Sequence, residues 1–241
     1  MGLDIYAGPL SRYYSGAWRT AVQQWADSQG MRHVVIRPGQ RGLRGLWDRM
    51  LSTLRRKADP VALVSEWRDR LAADGRFAGA ADWQWPEAVD LDYDTDKPDF
   101  DGYGAVQLWA AYCERRHVAR PVEFSPGWAE DPVFTEVSRS PKDFDHILGP
   151  ELWLPVVFND AFEGPEPNGN LLKTGSVFRL LEQLRRLNRE SWNASEDAIR
   201  EWRKEAFDPE KLDSIARWSF SIWYRLAEFA AEHRAPMRLD C

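Results

Sequence analysis

"PEKLDSIARWSFSIWYRLAEFAAEH", residues 209–233, is the stretch that decides the fold of this chain. Its apolar side chains recur at spacings of three and four residues, which is the periodicity of one face of an α-helix. Asp208 and Pro209 come just before the stripe and suit an N-cap and a first helical residue. The sequence therefore predicts one long helix at about residues 209–233, with an apolar face that the rest of the chain must cover. The positions on that face are Leu212, Ile215, Trp218, Ile222, Leu226 and Phe229.

Six further segments show helical patterns. Asp59 and Pro60 form a cap followed by a proline at the first helical position, and Thr174 or Ser176 is suited to cap a later helix. Ser15 is predicted to cap the first helix, whose inward face would carry Trp18 and Trp25. The predicted helical segments are residues 15–30, 46–56, 59–75, 104–117, 174–190 and 195–206.

Strand signals are fewer and shorter. They fall at residues 3–8, 32–38, 133–137 and 151–160, with a further short strand possible within 81–94. Strands and helices do not alternate regularly, which excludes a doubly wound fold. We therefore predict an α+β fold in which residues 1–241 form a single, helix-dominated globular domain with a small mixed or antiparallel sheet. A chain of 241 residues is long enough to bury a substantial core.

Charge is distributed unevenly along the chain, whose net charge is −6. Residues 82–101 hold eight acids and one lysine, whereas residues 31–57 hold eight basic residues and one acid. The overall acidity argues against nucleic acid as a partner, although the Arg-rich segment at 32–57 keeps nucleic acid or a phosphorylated ligand as a weaker alternative. Whether the two charged segments pack against each other is left open by the sequence.

Composition also bears on location. The two cysteines, Cys113 and Cys241, do not form a disulfide framework, which fits a reducing cytoplasm. The start of the sequence lacks the pattern of a signal peptide, and no apolar run approaches the 18 residues of a membrane span. We therefore expect a cytoplasmic protein that does not enter the membrane.

"VDLDYDTDKPDFDGYG", residues 89–104, is the strongest functional lead. As a calcium loop it fits poorly, because Thr95 stands where an EF-hand needs glycine and Asp101 where it needs a bidentate glutamate. Aromatic residues, including Phe100 and Tyr103, interleave with the acids, and such a mixture combines electrostatic steering with anchors for a protein partner. The predicted partner-binding residues are Trp83, Trp85, Asp90, Asp92, Tyr93, Asp94, Asp96, Asp99 and Asp101.

No catalytic motif is assembled in the sequence, and no catalytic residue, metal ligand or cofactor is predicted. Cys113 and His117 are four residues apart on a predicted helix, but a basic helix end explains "ERRH" better than a metal site does. The alternative function is a metal-dependent hydrolase. Its carboxylates would be Asp90, Asp92 and Asp101, or Asp160 and Glu163 in the loop that follows a predicted strand.

Two stretches, "MGLDIYAGPLSRYYSGAW" and "TDKPDFDGYGAVQLWAAY", resemble a group of bacterial proteins that begin MGLDIY and have no assigned activity. The resemblance covers roughly the first half of the chain and brings no catalytic residues. It implies a bacterial, cytoplasmic origin and a structural role for "DKPDFDGYG", in which Pro98, Gly102 and Gly104 set a turn and Asp101 caps the next helix.

The sequence as a whole predicts a non-enzymatic binding protein of the immunity or inhibitor type. Its acidic, aromatic-rich surface would neutralise a protein partner, for which a bacterial toxin is the leading example. The identity of that partner and the oligomeric state do not follow from the sequence.

Overall fold

The computed structural model describes residues 2–31, 59–74 and 83–240. Within these ranges six strands form one sheet. They are β1 (Asp4–Ala7), β2 (Asp94–Asp96), β3 (Leu152–Leu154), β4 (Phe162–Pro165), β5 (Leu171–Ser176) and β6 (Met237–Asp240). Across the sheet the order is β2-β1-β6-β3-β5-β4. The sheet is mixed, because β3 and β5 pair in parallel whereas the other neighbours are antiparallel.

Eight α-helices accompany the sheet in the described ranges. They are α1 (Leu10–Ser15), α2 (Ala21–Ser28), α3 (Pro60–Ala73), α4 (Asp99–Glu114), α5 (Pro132–Ser138), α6 (Val177–Ser191), α7 (Glu196–Trp202) and α8 (Leu212–Glu232). The predicted helix-dominated α+β fold with a small mixed sheet is confirmed. Of these helices, none is both long and apolar enough to cross a membrane.

Helix α8 forms the centre of the larger core. It packs against α4 and α6 and lies on the face of the sheet that carries Ile5 and Trp153. Four residues of the predicted stripe are buried as expected: Leu212, Ile215, Ile222 and Leu226. The other two, Trp218 and Phe229, are only partly buried. The buried band is wider than the stripe and also includes Phe220, Trp223, Tyr224 and Ala227.

A second core covers the opposite face of the sheet. Side chains alternate along a strand, so Leu152 and Leu154 point away from Trp153 and into this second core. Helices α1 and α3 and the segment around residues 83–85 supply the covering side chains. The buried members are Leu10, Val64, Trp67, Leu71, Trp83, Trp85, Leu152, Leu154, Val156 and Leu172.

Several helix starts follow the predicted local chemistry. The Asp59 carboxylate accepts a hydrogen bond from the backbone N–H of Val61, with Pro60 as the first residue of α3. Ser176 caps α6 by accepting from the N–H of Arg179. These side chains satisfy N–H groups that have no partner within their own helix, which is why the boundaries could be located from the sequence.

Two early predictions are wrong. The helix expected over residues 15–30 is broken, because Gly16 adopts a left-handed conformation (φ 72°) and ends α1. Thr20, not Ser15, caps the next helix through a capping box with Gln23. The strand expected at residues 133–137 is helix α5, since Asp131 accepts hydrogen bonds from two backbone N–H groups and Pro132 takes the first helical position.

Other boundaries also differ. Helix α8 begins at Leu212 rather than Pro209, and no strand lies in residues 83–93 of the described region. The sequence does not predict strands β4, β5 and β6, because each lies in or beside a segment dominated by loop or helix signals. The strand predicted at 32–38 and the helix predicted at 46–56 lie outside the described residues.

The glycines of "DFDGYG" serve packing rather than a turn. Helix α4 already begins at Asp99, so Asp101 lies in its first turn and is not its N-cap. A Cβ on Gly102 would lie 3.1 Å from Ser219 of α8, and one on Gly104 would overlap the indole of Trp128. The absence of side chains at these positions therefore allows α8 and Trp128 to approach α4 closely.

Replacing Gly104 by alanine is expected to lower the free energy of unfolding by about 1 to 2 kcal/mol, because the strain of overpacking outweighs the better helix propensity of alanine. Chemical denaturation of the purified variant measures this. Gly127→Ala is the matched control, since a Cβ there would meet its nearest neighbour at an ordinary 3.7 Å. Equal stability of the two variants would contradict the packing role.

Candidate functional site

The acidic stretch folds as β2 and the first turn of α4, and its centre points inward. Asp96 is only 6% exposed. Its two carboxylate oxygens accept hydrogen bonds from Arg203, whose Nη2 and Nε lie 2.9 and 3.0 Å away. Arg225 of α8 donates to Asp96 at 3.2 Å and also pairs with Asp94. Two of the predicted partner-binding aspartates are therefore neutralised inside the molecule.

These arginine contacts determine the ionisation of Asp96. Burial acts to raise its pKa, but the hydrogen bond and charge of Arg203, with smaller contributions from the Lys97 N–H and Arg225, hold the pKa below its ordinary value of 3.8. Asp96 is consequently ionised at neutral pH. Its negative charge pairs with Arg203, which follows α7, and with Arg225 of α8, so it connects β2 to both.

The predicted tryptophan anchors are not on the surface. Trp83 and Trp85 are 7% and 4% exposed and belong to the second core. The Trp85 ring packs edge-on against Trp67, at 6.4 Å between centroids. Tyr93 is partly buried and stacks on Tyr6 at 5.7 Å. These rings fill the interior because their large apolar area is stabilising there, which corrects their assignment as surface contacts.

Four of the predicted aspartates do face solvent: Asp90, Asp92, Asp99 and Asp101. Between the last two lies Phe100, which is 53% exposed and rests against Trp128 with 5.4 Å between ring centroids. An exposed aromatic ring between two exposed carboxylates is therefore the part of the acidic stretch that remains available for binding.

Another exposed ring lies in the segment between α7 and α8. Phe207 is 39% exposed, and its ring lies 4.6 Å from the Trp218 ring at a tilt of 31°. Phe207 was not among the predicted residues, because it lies between two helices where the sequence gives no periodic pattern. Asp99, Phe100 and Asp101 together are called the Phe100 surface below.

A buried carboxyl lies on β1, next to this region. Oδ1 of Asp4 has no hydrogen-bond partner in the described part of the chain. Burial raises the pKa of Asp4 from 3.8 to about 6; Lys97 opposes this rise, and the negative charge of Asp240 on the neighbouring β6 adds to it. Ionisation of Asp4 near neutral pH thus places an unsatisfied charge in the sheet.

Asp160, proposed for the hydrolase alternative, lines a polar cleft of about 260 Å³. Glu163 is on β4 opposite Lys173 and does not line that cleft. Asp90 and Asp92 lie in the turn before β2, and Asp101 lies in α4. Among residues 2–31, 59–74 and 83–240, no group of three or more His, Cys, Asp or Glu side chains is placed to hold a metal ion.

A buried histidine and an aspartate fix the loop that carries Asp160 in this cleft. His146 Nε2 lies 2.9 Å from the carbonyl oxygen of Asn159, and Nδ1 accepts the N–H of Ser176 at 2.9 Å. This pattern makes the ring a neutral donor at Nε2, consistent with burial lowering its pKa. Asp145 accepts the N–H of Ala161 at 3.0 Å, so the loop that carries Asp160 is fixed on both sides.

Cys113 and His117 do not form a site together. Cys113 is buried, its Sγ lies 3.4 Å from Ser191 Oγ, and burial raises the pKa of the thiol. His117 is exposed just beyond the C-terminal end of α4. The structure therefore assigns Cys113 to the core.

Asp96→Ala is expected to lower the free energy of unfolding by about 2 to 3 kcal/mol at neutral pH, because it removes charge-assisted hydrogen bonds to two arginines that are themselves partly exposed. A carboxyl whose pKa is lower in the folded state stabilises the folded protein at pH values above its unfolded pKa. The difference in stability between the variant and the wild type should therefore shrink as the pH falls below about 4. Urea unfolding of the variant and the wild type, at neutral pH and below about pH 4, measures this difference. Asp92→Ala, in the exposed turn before β2, should change stability by less than about 1 kcal/mol.

Asp4→Asn is expected to stabilise the protein by about 1 to 3 kcal/mol at pH 7.5, because the native state no longer has to ionise a buried carboxyl. The raised folded pKa means that wild-type stability falls as pH rises from 3.8 through about 6. At about pH 4 the variant and the wild type should therefore melt together. Asp90→Asn removes the same charge from an exposed turn, and an equal gain there would refute the burial explanation.

Comparison of the chain with models of protein families, with curated protein sequences and with solved structures finds no match. The resemblance to bacterial proteins that begin MGLDIY stays a prediction. The candidate sites accordingly rest on the geometry and chemistry of the chain's own residues.

Proposed function

We propose that this chain is a non-enzymatic binding protein of the immunity or inhibitor type, which neutralises a protein partner through the Phe100 surface. The observation that carries the proposal is the Phe100 ring, exposed by 53% between two exposed carboxylates. Aromatic residues, phenylalanine among them, are enriched at protein interfaces relative to the rest of the surface.

The ring is presented on a rigid support. Phe100 packs against the buried Trp128, which also contacts Tyr103 and Phe134. Asp99 has a φ of 56°, in the left-handed region that asparagine and aspartate tolerate better than most residues. Its carboxylate lies 3.1 Å from Lys97 Nζ. A fixed anchor loses little conformational entropy when it binds, which favours affinity.

The chemistry of the surface defines the partner. Asp99 and Asp101 add to the negative potential of Asp90 and Asp92 in the preceding turn, so the complementary surface is basic. Phe100 would enter an apolar depression on that partner. A nuclease-like toxin has a basic active-site surface, and an inhibitor that occupies such a surface would act in a bacterial cytoplasm.

The metal-dependent hydrolase remains the second candidate, now restricted to the polar cleft. Asp160 and Asp145 both line it, but both oxygens of Asp145 already accept hydrogen bonds, from the Ala161 N–H and from Gln183. Asp94 and Asp96 of the acidic stretch are engaged by arginines. The carboxylates therefore act mainly as internal acceptors, which supports the binding function more than a metal-dependent one.

In affinity purification from the native host, we expect one stoichiometric basic protein to copurify with the tagged chain. In a titration of the purified pair, Phe100→Ala should weaken binding by about 1 to 3 kcal/mol, or roughly 5- to 150-fold, as for a central aromatic anchor. Asp92→Lys/Asp101→Lys should slow association and reduce its dependence on salt.

The matched controls are Leu171→Ala and Asp197→Lys, which change an exposed apolar residue and an exposed acid elsewhere on the chain. Both should leave affinity unchanged. A complex that tolerates Phe100→Ala and the double charge reversal would overturn the proposed surface, and a complex that forms equally well at high salt would overturn the electrostatic part of the proposal.

A further inference from the structure

The polar cleft that Asp160 lines runs along the exposed face of α6, far in sequence from the Phe100 surface, and is called the groove below. Two loops, around residues 141–145 and 159–160, form its other walls, and its volume is about 260 Å³. This is smaller than a site for a drug-sized ligand, so the groove suits a small polar molecule. The residues of α6 that line it are Arg179, Glu182, Gln183, Arg186 and Arg189.

Two arginines of the groove are already paired. Arg179 contacts Glu182 at 2.7 Å, and Arg186 contacts Asp143 at 3.0 Å. The Arg179 Nη2 also donates to Asn159 Oδ1 at 2.6 Å, which anchors the 159–160 loop to the start of α6. The charges of the two arginines are therefore balanced by those of Glu182 and Asp143.

Charges without a salt bridge lie at the two ends of the groove. In the described part of the chain, no ion pair involves Asp160, Lys142 or Arg189. Asp160 follows Asn159 and therefore lies at the Arg179 end. Lys142 precedes Asp143 and lies at the Arg186 end, next to Arg189. Arg179 and Arg189 are ten residues apart on one helix, or about 15 Å at 1.5 Å per residue.

We propose that this groove binds a short peptide of two or three residues with both termini free. The N-terminal ammonium group would lie at Asp160, and the C-terminal carboxylate would lie between Lys142 and Arg189. An extended tripeptide spans about 10 Å, so long side chains reaching inward from both ends can meet its termini. Arg189 can bind a carboxylate through two parallel N–H bonds.

The charge pattern selects this ligand over simpler ones. The lining side chains carry four positive charges (Lys142, Arg179, Arg186 and Arg189) and four negative charges (Asp143, Asp145, Asp160 and Glu182), so their sum is zero. Because these charges cancel, the groove offers no net positive charge to a phosphate dianion, and the two groups of a single amino acid are too close together to reach both ends. A molecule with opposite charges at its two ends matches the groove.

The test is calorimetric titration of the full chain with trialanine, N-acetyl-trialanine, trialanine amide, alanine and inorganic phosphate. We expect trialanine to bind, and each blocked peptide to bind about threefold to fivefold more weakly, as for the loss of one partly exposed ion pair. Alanine and phosphate should bind more weakly than trialanine.

Two variants assign the ends. With Asp160→Asn, trialanine and its N-acetyl form should bind equally, while the preference for a free carboxylate persists. With Lys142→Gln/Arg189→Gln, the free acid and the amide should bind equally, while the preference for a free amine persists. Asp197→Asn on α7 is the matched control and should behave as wild type. Absence of trialanine binding, tighter binding of phosphate, or unchanged preferences in both variants would overturn the proposal.

Discussion

The burial of α8 between the sheet and the helices α4 and α6 is the constraint on which the rest of the fold depends. Its apolar band holds the larger core together, and close approach to α4 is possible because Gly102 has no side chain where Ser219 packs. Arg225 on the same helix reaches back to Asp94 and Asp96 on the edge strand. One helix thus positions the core, the sheet edge and the start of α4, where the Phe100 surface lies.

The parts of the fold that could be predicted are those specified by local chemistry. Each of these features is encoded by residues that are close together in the sequence. They are the stripe of α8, the buried face of α3 and the caps Asp59 and Ser176. Helix α5 was missed because the β-branched Val133 and Val137 favour a strand, whereas the local Asp131 cap and Pro132 determine the outcome. Strands β5 and β6 exist mainly because distant partners complete their hydrogen bonds, and no local pattern reveals that.

The candidate site shows the same division. The sequence correctly identifies an acidic, aromatic segment, but the charge counted along a chain is not the charge on its surface. Arg203 and Arg225, more than 100 residues downstream, neutralise the middle of the segment, and Trp83 and Trp85 are drawn into the second core. What remains exposed is narrower: Asp90, Asp92, Asp99 and Asp101, with the Phe100 ring between the last two.

The pairing of β1 with β6 has a consequence for how the molecule is assembled. Tyr6 lies opposite Arg238, so two strands from the interior of the sheet are separated by most of the chain. Without β6, the sheet would separate into a β2-β1 pair and a β3-β5-β4 group, each with an unpaired edge. During synthesis β1 must therefore wait until β6 has been made, and a nascent chain stalled before β6 would expose edges that invite association with other chains.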